Sequence, residues 1–176
     1  PIEQMYEDVR PLLQAARPEE ALQALQNVVR SFPDFAGAHH DIGMLYDRSG
    51  DRRKALGHLE RAAHLDPGST LFLTSLADYY HVGLSRVEDA LAVYARILEL
   101  RPNDVTVRMT TAHLCVALQR FAEAAVHYRK VLDIEPWNAE AGENHGKIER
   151  ILNGSTVRST PEDLYAEAQR LAQAGD

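Results

Sequence analysis

The sequence predicts an all-α solenoid built from four copies of one helix-turn-helix unit, and three observations carry that prediction. Pro33, Pro67, Pro102 and Pro136 fall 34, 35 and 34 residues apart. Each follows an alanine by 12 residues: Ala21, Ala55, Ala90 and Ala124. Within a period lie two helical patterns separated by a short turn, as in Ala36 to Pro67, where Ser49-Gly50-Asp51 divides them. A fixed period near 34 means one supersecondary unit copied along the chain, each copy burying its apolar face against its neighbours. The 176 residues hold four units and about one unit of remainder, more than the roughly three repeats such an array needs to be stable.

The units run at about 2–35, 36–69, 70–104 and 105–138. In the first, Val9 replaces the small residue expected at the helix crossing, and Pro11 should kink the first helix or force it to begin late. In the second, Ile42, Gly43 and Tyr46 share a face of the first helix, and Ala55, Leu59 and Ala62 form the inner stripe of the second. Pro67 stops that helix because proline lacks an N–H and disfavours helix in the residue before it. The third unit carries one extra residue around Val82-Gly83-Leu84, which predicts a longer turn. The fourth keeps a small residue, Ala112, at the crossing, where a larger side chain would hold the helix axes apart. After Pro136, Trp137 is expected to pack over the preceding helix end as a staple for the next. Residues 139–152 should form a capping helix begun by Asn138 and closed by Asn153-Gly154, completing an array over 1–153. Residues 154–160 read as a linker. Thr160-Pro161 then starts a helix to about Ala174 with Leu164, Ala168, Leu171 and Ala172 on one stripe. Met5-Tyr6 and Leu12 to Arg17 are echoed by Leu164-Tyr165 and Leu171 to Asp176, so 161–176 also reads as the first helix of a further module.

Composition narrows the function classes. A chain 45% hydrophobic and 26% charged is ordinary for a folded protein. Its net charge of -7, with basic residues scattered, makes a mostly repulsive field for phosphate backbones and excludes nucleic acid as the expected partner. The single cysteine, Cys115, has no intramolecular disulfide partner. No apolar run approaches the roughly 18 residues of a membrane span, and Pro1-Ile2-Glu3-Gln4 lacks a signal-peptide pattern, so a cytoplasmic location is expected. His40, His81 and His113 stand in adjacent units, roughly 10 Å apart at helix-packing distances, too far to share a metal whose ligands sit about 2 Å away. No metal or cofactor is expected. Cys115 falls at a packing position, no glycine-rich phosphate loop is present, and no nucleophile with an oriented base is legible.

Four positions repeat in every unit. The crossing position reads Val9, Gly43, Ala77 and Ala112, and three residues on stand Leu12, Tyr46, Tyr80 and Cys115. Four residues after each conserved-register alanine come Leu25, Leu59, Tyr94 and Tyr128. This pattern resembles the tetratricopeptide repeat over residues 2 to about 138. The resemblance implies a right-handed superhelix whose concave face is lined by the first helix of each repeat, where peptides or partner helices bind. Carried onto this sequence, the groove residues include Tyr6, Arg10, His40, Asp41, Met44, Asp47, Asp78, His81, Met109, His113 and Lys147, with Ser75, Val116 and Asn144 beside them. The chaperone-type carboxylate clamp is absent, since its places hold His40, Met44, Ser75, Thr106 and Thr110. The asparagine ladder of the O-linked N-acetylglucosamine transferase array is absent too, its register reading Glu7, Asp41, Ser75, Thr110, Asn144. The expected function is a non-catalytic protein-interaction scaffold for a basic or amphipathic segment. Two alternatives stand beside it. The chain is loosely similar to bacterial repeat regions that target or present substrates for glycosyltransferases or methyltransferases, and its 161–174 helix could join copies into a dimer or filament.

Overall fold

The computed structural model describes residues 2–15 and 17–157. The expected trailing helix and residues 158–160 of the linker before it lie outside the described residues. All regular structure among the described residues is helical. Two compact units divide the chain, Pro1–Pro102 and Asn103–Asp176.

The first unit begins with α1 (Ile2–Glu7) and α2 (Arg10–Gln14), two short pieces where the other repeats have one helix. Pro11 sits in the first turn of α2, so the expected kink takes the form of a break at Asp8-Val9. Val9 nevertheless reaches the core, 1% exposed, with Ala21, Leu25, Val28 and Ile42. The next helix is α3 (Pro18–Ser31), followed by the hairpin α4 (Ala36–Ser49) and α5 (Arg52–Leu65). Gly50 reverses the chain between them at φ 82°, a left-handed conformation that suits glycine, and Asp51 caps α5 by accepting from the Lys54 amide. A Cβ placed on Gly43 would lie 2.9 Å from Leu59 Cγ and 3.2 Å from the Ala55 carbonyl oxygen, so glycine sets how closely α4 and α5 approach.

Ser69 caps α6 (Thr70–Asp78) through the Phe72 amide. The extra residue of this repeat does not lengthen the turn in the way expected. It is absorbed as a π-helical turn, Tyr79–Gly83, that continues α6 and donates the Leu84 N–H to the Tyr79 carbonyl at 3.0 Å. A π turn accommodates one residue more than an α turn and keeps both flanks in register. Ser85, at φ 55°, then turns the chain into α7 (Val87–Leu100).

The second unit holds α8 (Val105–Ala117), α9 (Phe121–Ile134) and α10 (Ala139–Val157). Gln119 makes the left-handed turn of this hairpin at φ 59°. Cys115 is 1% exposed, at the packing position the sequence assigned to it. Asn138 caps α10 as expected, accepting from the Ala141 amide at 3.0 Å. Two expectations fail here. The helix passes through Asn153-Gly154 and continues to Val157, because nothing at Gly154 takes up the left-handed conformation that would end it. Trp137 is 79% exposed and so does not staple the helix end.

The periodic prolines have one local role in all four places. Phe32, Asp66, Arg101 and Glu135 end their helices by donating the main-chain N–H to the carbonyls of Val28, Ala62, Ile97 and Val131, each a buried residue. Proline follows immediately and prevents a further turn.

Candidate binding face

In the first unit, side chains from the first helices of three successive repeats join in one hydrogen-bonded strip. Tyr6 on α1 donates its O–H to Asp41 Oδ2 on α4 at 2.6 Å. His40 Nδ1 lies 3.1 Å from Asp41 Oδ1, and His40 Nε2 lies 2.9 Å from Ser75 Oγ on α6. A neutral imidazole protonated at Nδ1 satisfies both contacts, donating to Asp41 and accepting from the Ser75 hydroxyl. The His40 and Asp41 side chains are only 14% and 20% exposed, and Phe72 packs on the His40 ring at 5.2 Å. Burial, and then the Asp41 carboxylate, push the Tyr6 phenol far above its ordinary range, so it remains a donor throughout the physiological range.

The strip sets a serine against an imidazole oriented by a carboxylate, an arrangement that the sequence did not reveal. The legible trace was register alone: Asp41 and Ser75 stand one period apart. Ser75 is the sixth residue of α6, however, beyond the first turn whose N–H groups are free of helical bonds. Acyl transfer needs preorganised donors at the developing oxyanion, and the amides beside Ser75 are committed to the helix. The arrangement is chemically suited to exchanging hydrogen bonds with a bound polar group.

The other expected groove residues of this unit make contacts of their own or are exposed to solvent. Asp78 accepts from the Tyr94 O–H of α7, which holds it in place. Met44 is 39% exposed and Asp47 is exposed. His81 lies partly exposed on the π turn, and Arg10 forms an exposed ion pair with Glu7 at 3.0 Å. A second pair escaped sequence reading altogether. His39 Nδ1 and His58 Nδ1 lie 3.0 Å apart across the α4–α5 hairpin, while His39 Nε2 donates to the Pro33 carbonyl at 2.8 Å. Their separation of 19 residues matches no helical or metal-ligand spacing, so only the packed hairpin shows it. Burial, followed by the neighbouring His39, lowers the His58 pKa.

In the second unit the corresponding helix faces form an apolar cleft of about 440 Å³ between α8, α9 and α10. Val116, Phe121 and Ile151 supply apolar walls, with His113, Asn144 and Lys147 at polar positions. His113 faces Glu140 at 3.2 Å, and Lys147 pairs with Glu143 at 2.6 Å. Met109 lies on α8 and is partly exposed. Among the described residues no group of three or more histidine, cysteine, aspartate or glutamate side chains is positioned to hold a metal, and no helix is long and apolar enough to cross a membrane.

Antiparallel helix pairs recurring every 34 or 35 residues, with left-handed turns inside them and prolines between them, define an αα-hairpin repeat protein. The family model for the tetratricopeptide repeat matches residues 9–70, 40–105 and 79–140, and the chain belongs to that family. Solved structures share the fold at low identity. YrrB, described as a TPR protein with an unusual peptide-binding site, matches at TM-score 0.68 and 20% identity, over 85% of this chain and 76% of that one. A tetratricopeptide repeat protein from Parabacteroides merdae matches at TM-score 0.73 and 20% identity, over 87% of this chain and 60% of that one. MamA from Desulfovibrio magneticus RS-1 matches at TM-score 0.67 and 14% identity, covering 99% of this chain and 97% of that one. No curated protein matches the sequence.

Proposed function

We propose that this chain is a non-catalytic protein-interaction scaffold that takes up an extended or helical segment of a partner on the first-helix faces of its repeats. The observation that carries the proposal is the strip Tyr6–Asp41–His40–Ser75. It ties three first helices together and leaves a polar line on which main-chain or side-chain groups of a ligand could exchange hydrogen bonds. Asp41, Asp47 and Asp78 make this face acidic, which favours a basic or amphipathic segment. The apolar cleft of the second unit would accept an apolar anchor. Family membership and the description of YrrB as peptide-binding support the reading.

The test is a random peptide display on the immobilised full chain. Selected peptides should be rich in lysine, arginine and large apolar residues. Met44→Arg, at a 39% exposed position, should weaken their binding at least ten-fold with an unchanged urea midpoint. Peptides that are acidic, or whose binding ignores Met44→Arg, would contradict the proposal.

A further inference from the structure

We infer that the α4–α5 hairpin carries an anion site for a single phosphate group, lined by His39, Lys54, His58 and Arg61 around Gly57. These five residues line one shallow concavity of about 450 Å³. Lys54, His58 and Arg61 recur at i, i+4 and i+7 and so share a face of α5, while His39 enters from α4. Gly57 leaves the surface between them open, with no atom within 4 Å of an added Cβ. Among the described residues the lining contains no carboxylate, although the whole chain carries a net charge of -7. That local excess of basic groups suits one anionic group and not a polyanion, which the rest of the surface repels.

The hydrogen bonds fix how the histidines can act. His39 Nε2 donates to the Pro33 carbonyl, so its Nδ1 is an acceptor and the 3.0 Å contact is donated by His58 Nδ1. The neutral pair therefore leaves a lone pair on His58 Nε2. That atom has no hydrogen-bond partner among the described residues and is not buried, so it is open to solvent. Burial, and then His39, keep the ring neutral, and a bound anion supplies the charge that lets Nε2 take a proton and donate it as a hydrogen bond. Lys54 pairs with Asp51 at 2.9 Å and Arg61 with Asp34 at 2.6 Å, both exposed contacts of little net strength from which the cations can turn to a ligand. Asp51 keeps its bond from the Lys54 amide when they do, so the α5 cap survives. An ammonium, a guanidinium and an imidazolium outnumber the two oxygens of a carboxylate and match the three of a phosphate monoester. Three of the four basic groups stand on the second helix, so the site is independent of the first-helix face and of the function proposed above.

The test follows the His58 ring by NMR in the full chain as chloride is replaced, at matched ionic strength, by inorganic phosphate or by O-phosphoserine. The His58 pKa should rise by about 1 as the ligand saturates one site. Lys54→Gln combined with Arg61→Gln should weaken binding about ten-fold or more with an unchanged urea midpoint. Gly57→Leu, which fills the concavity and leaves every charge in place, should weaken it as well. Saturation by phosphate alone would support a site for the free ion, and O-phosphoserine binding at least as tightly would support one for a phosphorylated side chain. A His58 pKa unmoved by both ligands, or binding that survives both variants, would overturn the inference.

Discussion

Gly43 and Gly57 lie 14 residues apart in one hairpin, and replacing each by alanine should change stability in opposite directions. Both are helical, so alanine at either position gains about 1 kcal/mol of backbone propensity. Gly57 faces open space with no atom within 4 Å of an added Cβ, and Gly57→Ala should therefore stabilise the protein by roughly 0.5–1 kcal/mol. At Gly43 the added Cβ would meet Leu59 Cγ at 2.9 Å, Leu59 Cδ2 at 3.0 Å and the Ala55 carbonyl oxygen at 3.2 Å. Leu59 is 1% exposed and the carbonyl is main chain, so neither neighbour can move aside without displacing α5. Overpacking of this kind costs about 1–3 kcal/mol, which exceeds the propensity gain and leaves Gly43→Ala destabilising by about 1 kcal/mol. Urea unfolding followed by circular dichroism reads both variants. Combining Gly43→Ala with Leu59→Ala gives a double-mutant cycle in which the two Leu59 contacts disappear and only the Ala55 carbonyl contact is left, so the two losses should be less than additive. A Gly43→Ala protein as stable as Gly57→Ala would refute the claim that the α4–α5 approach is limited at this contact.

Three further outcomes follow from the same structure. Tyr6→Phe removes the donor to a largely buried Asp41 carboxylate, and urea unfolding should register a loss of about 1–3 kcal/mol. Stability should fall as pH drops from about 6.5 to 5. Burial lowers the pKa values of His58 and His127, so the unfolded chain binds protons first, with a slope of at most about 1.4 kcal/mol per pH unit for each histidine. His58→Gln with His127→Gln should flatten that slope in urea titrations at successive pH values. Gly83→Ala should lower the melting temperature, because a Cβ there would sit 2.9 Å from the ring of Tyr79, itself 6% exposed. An unchanged melting temperature would show that the π turn has room to spare.

The array was legible because its determinants are local and repeated. Proline after each second helix, alanine at each inner stripe and a small residue at three of the four crossings act within one hairpin, so spacing alone discloses them. The π turn was not legible beyond its extra residue, since a longer loop and a wider helical turn satisfy the same count. Trp137 and the end of α10 were misjudged for a related reason. A staple needs a facing side chain, and a glycine stop needs a left-handed backbone, neither of which Asn153-Gly154 or Pro136-Trp137 specifies by composition. The polar strip lay between these cases. Tyr6, His40, Asp41 and Ser75 could each be assigned to the first-helix face from the family register. Their joining into one line depends on side-chain directions across three helices, which no spacing encodes.

The central claim is that the first-helix face receives the partner, and site-specific photo-cross-linking tests it most directly. A diazirine side chain at Met44, on the first-helix face, is compared with one at Val126, a 59% exposed residue of the second helix α9. Display-selected peptides should cross-link at residue 44 and leave residue 126 unlabelled. Labelling at residue 126 with none at residue 44 would contradict the account.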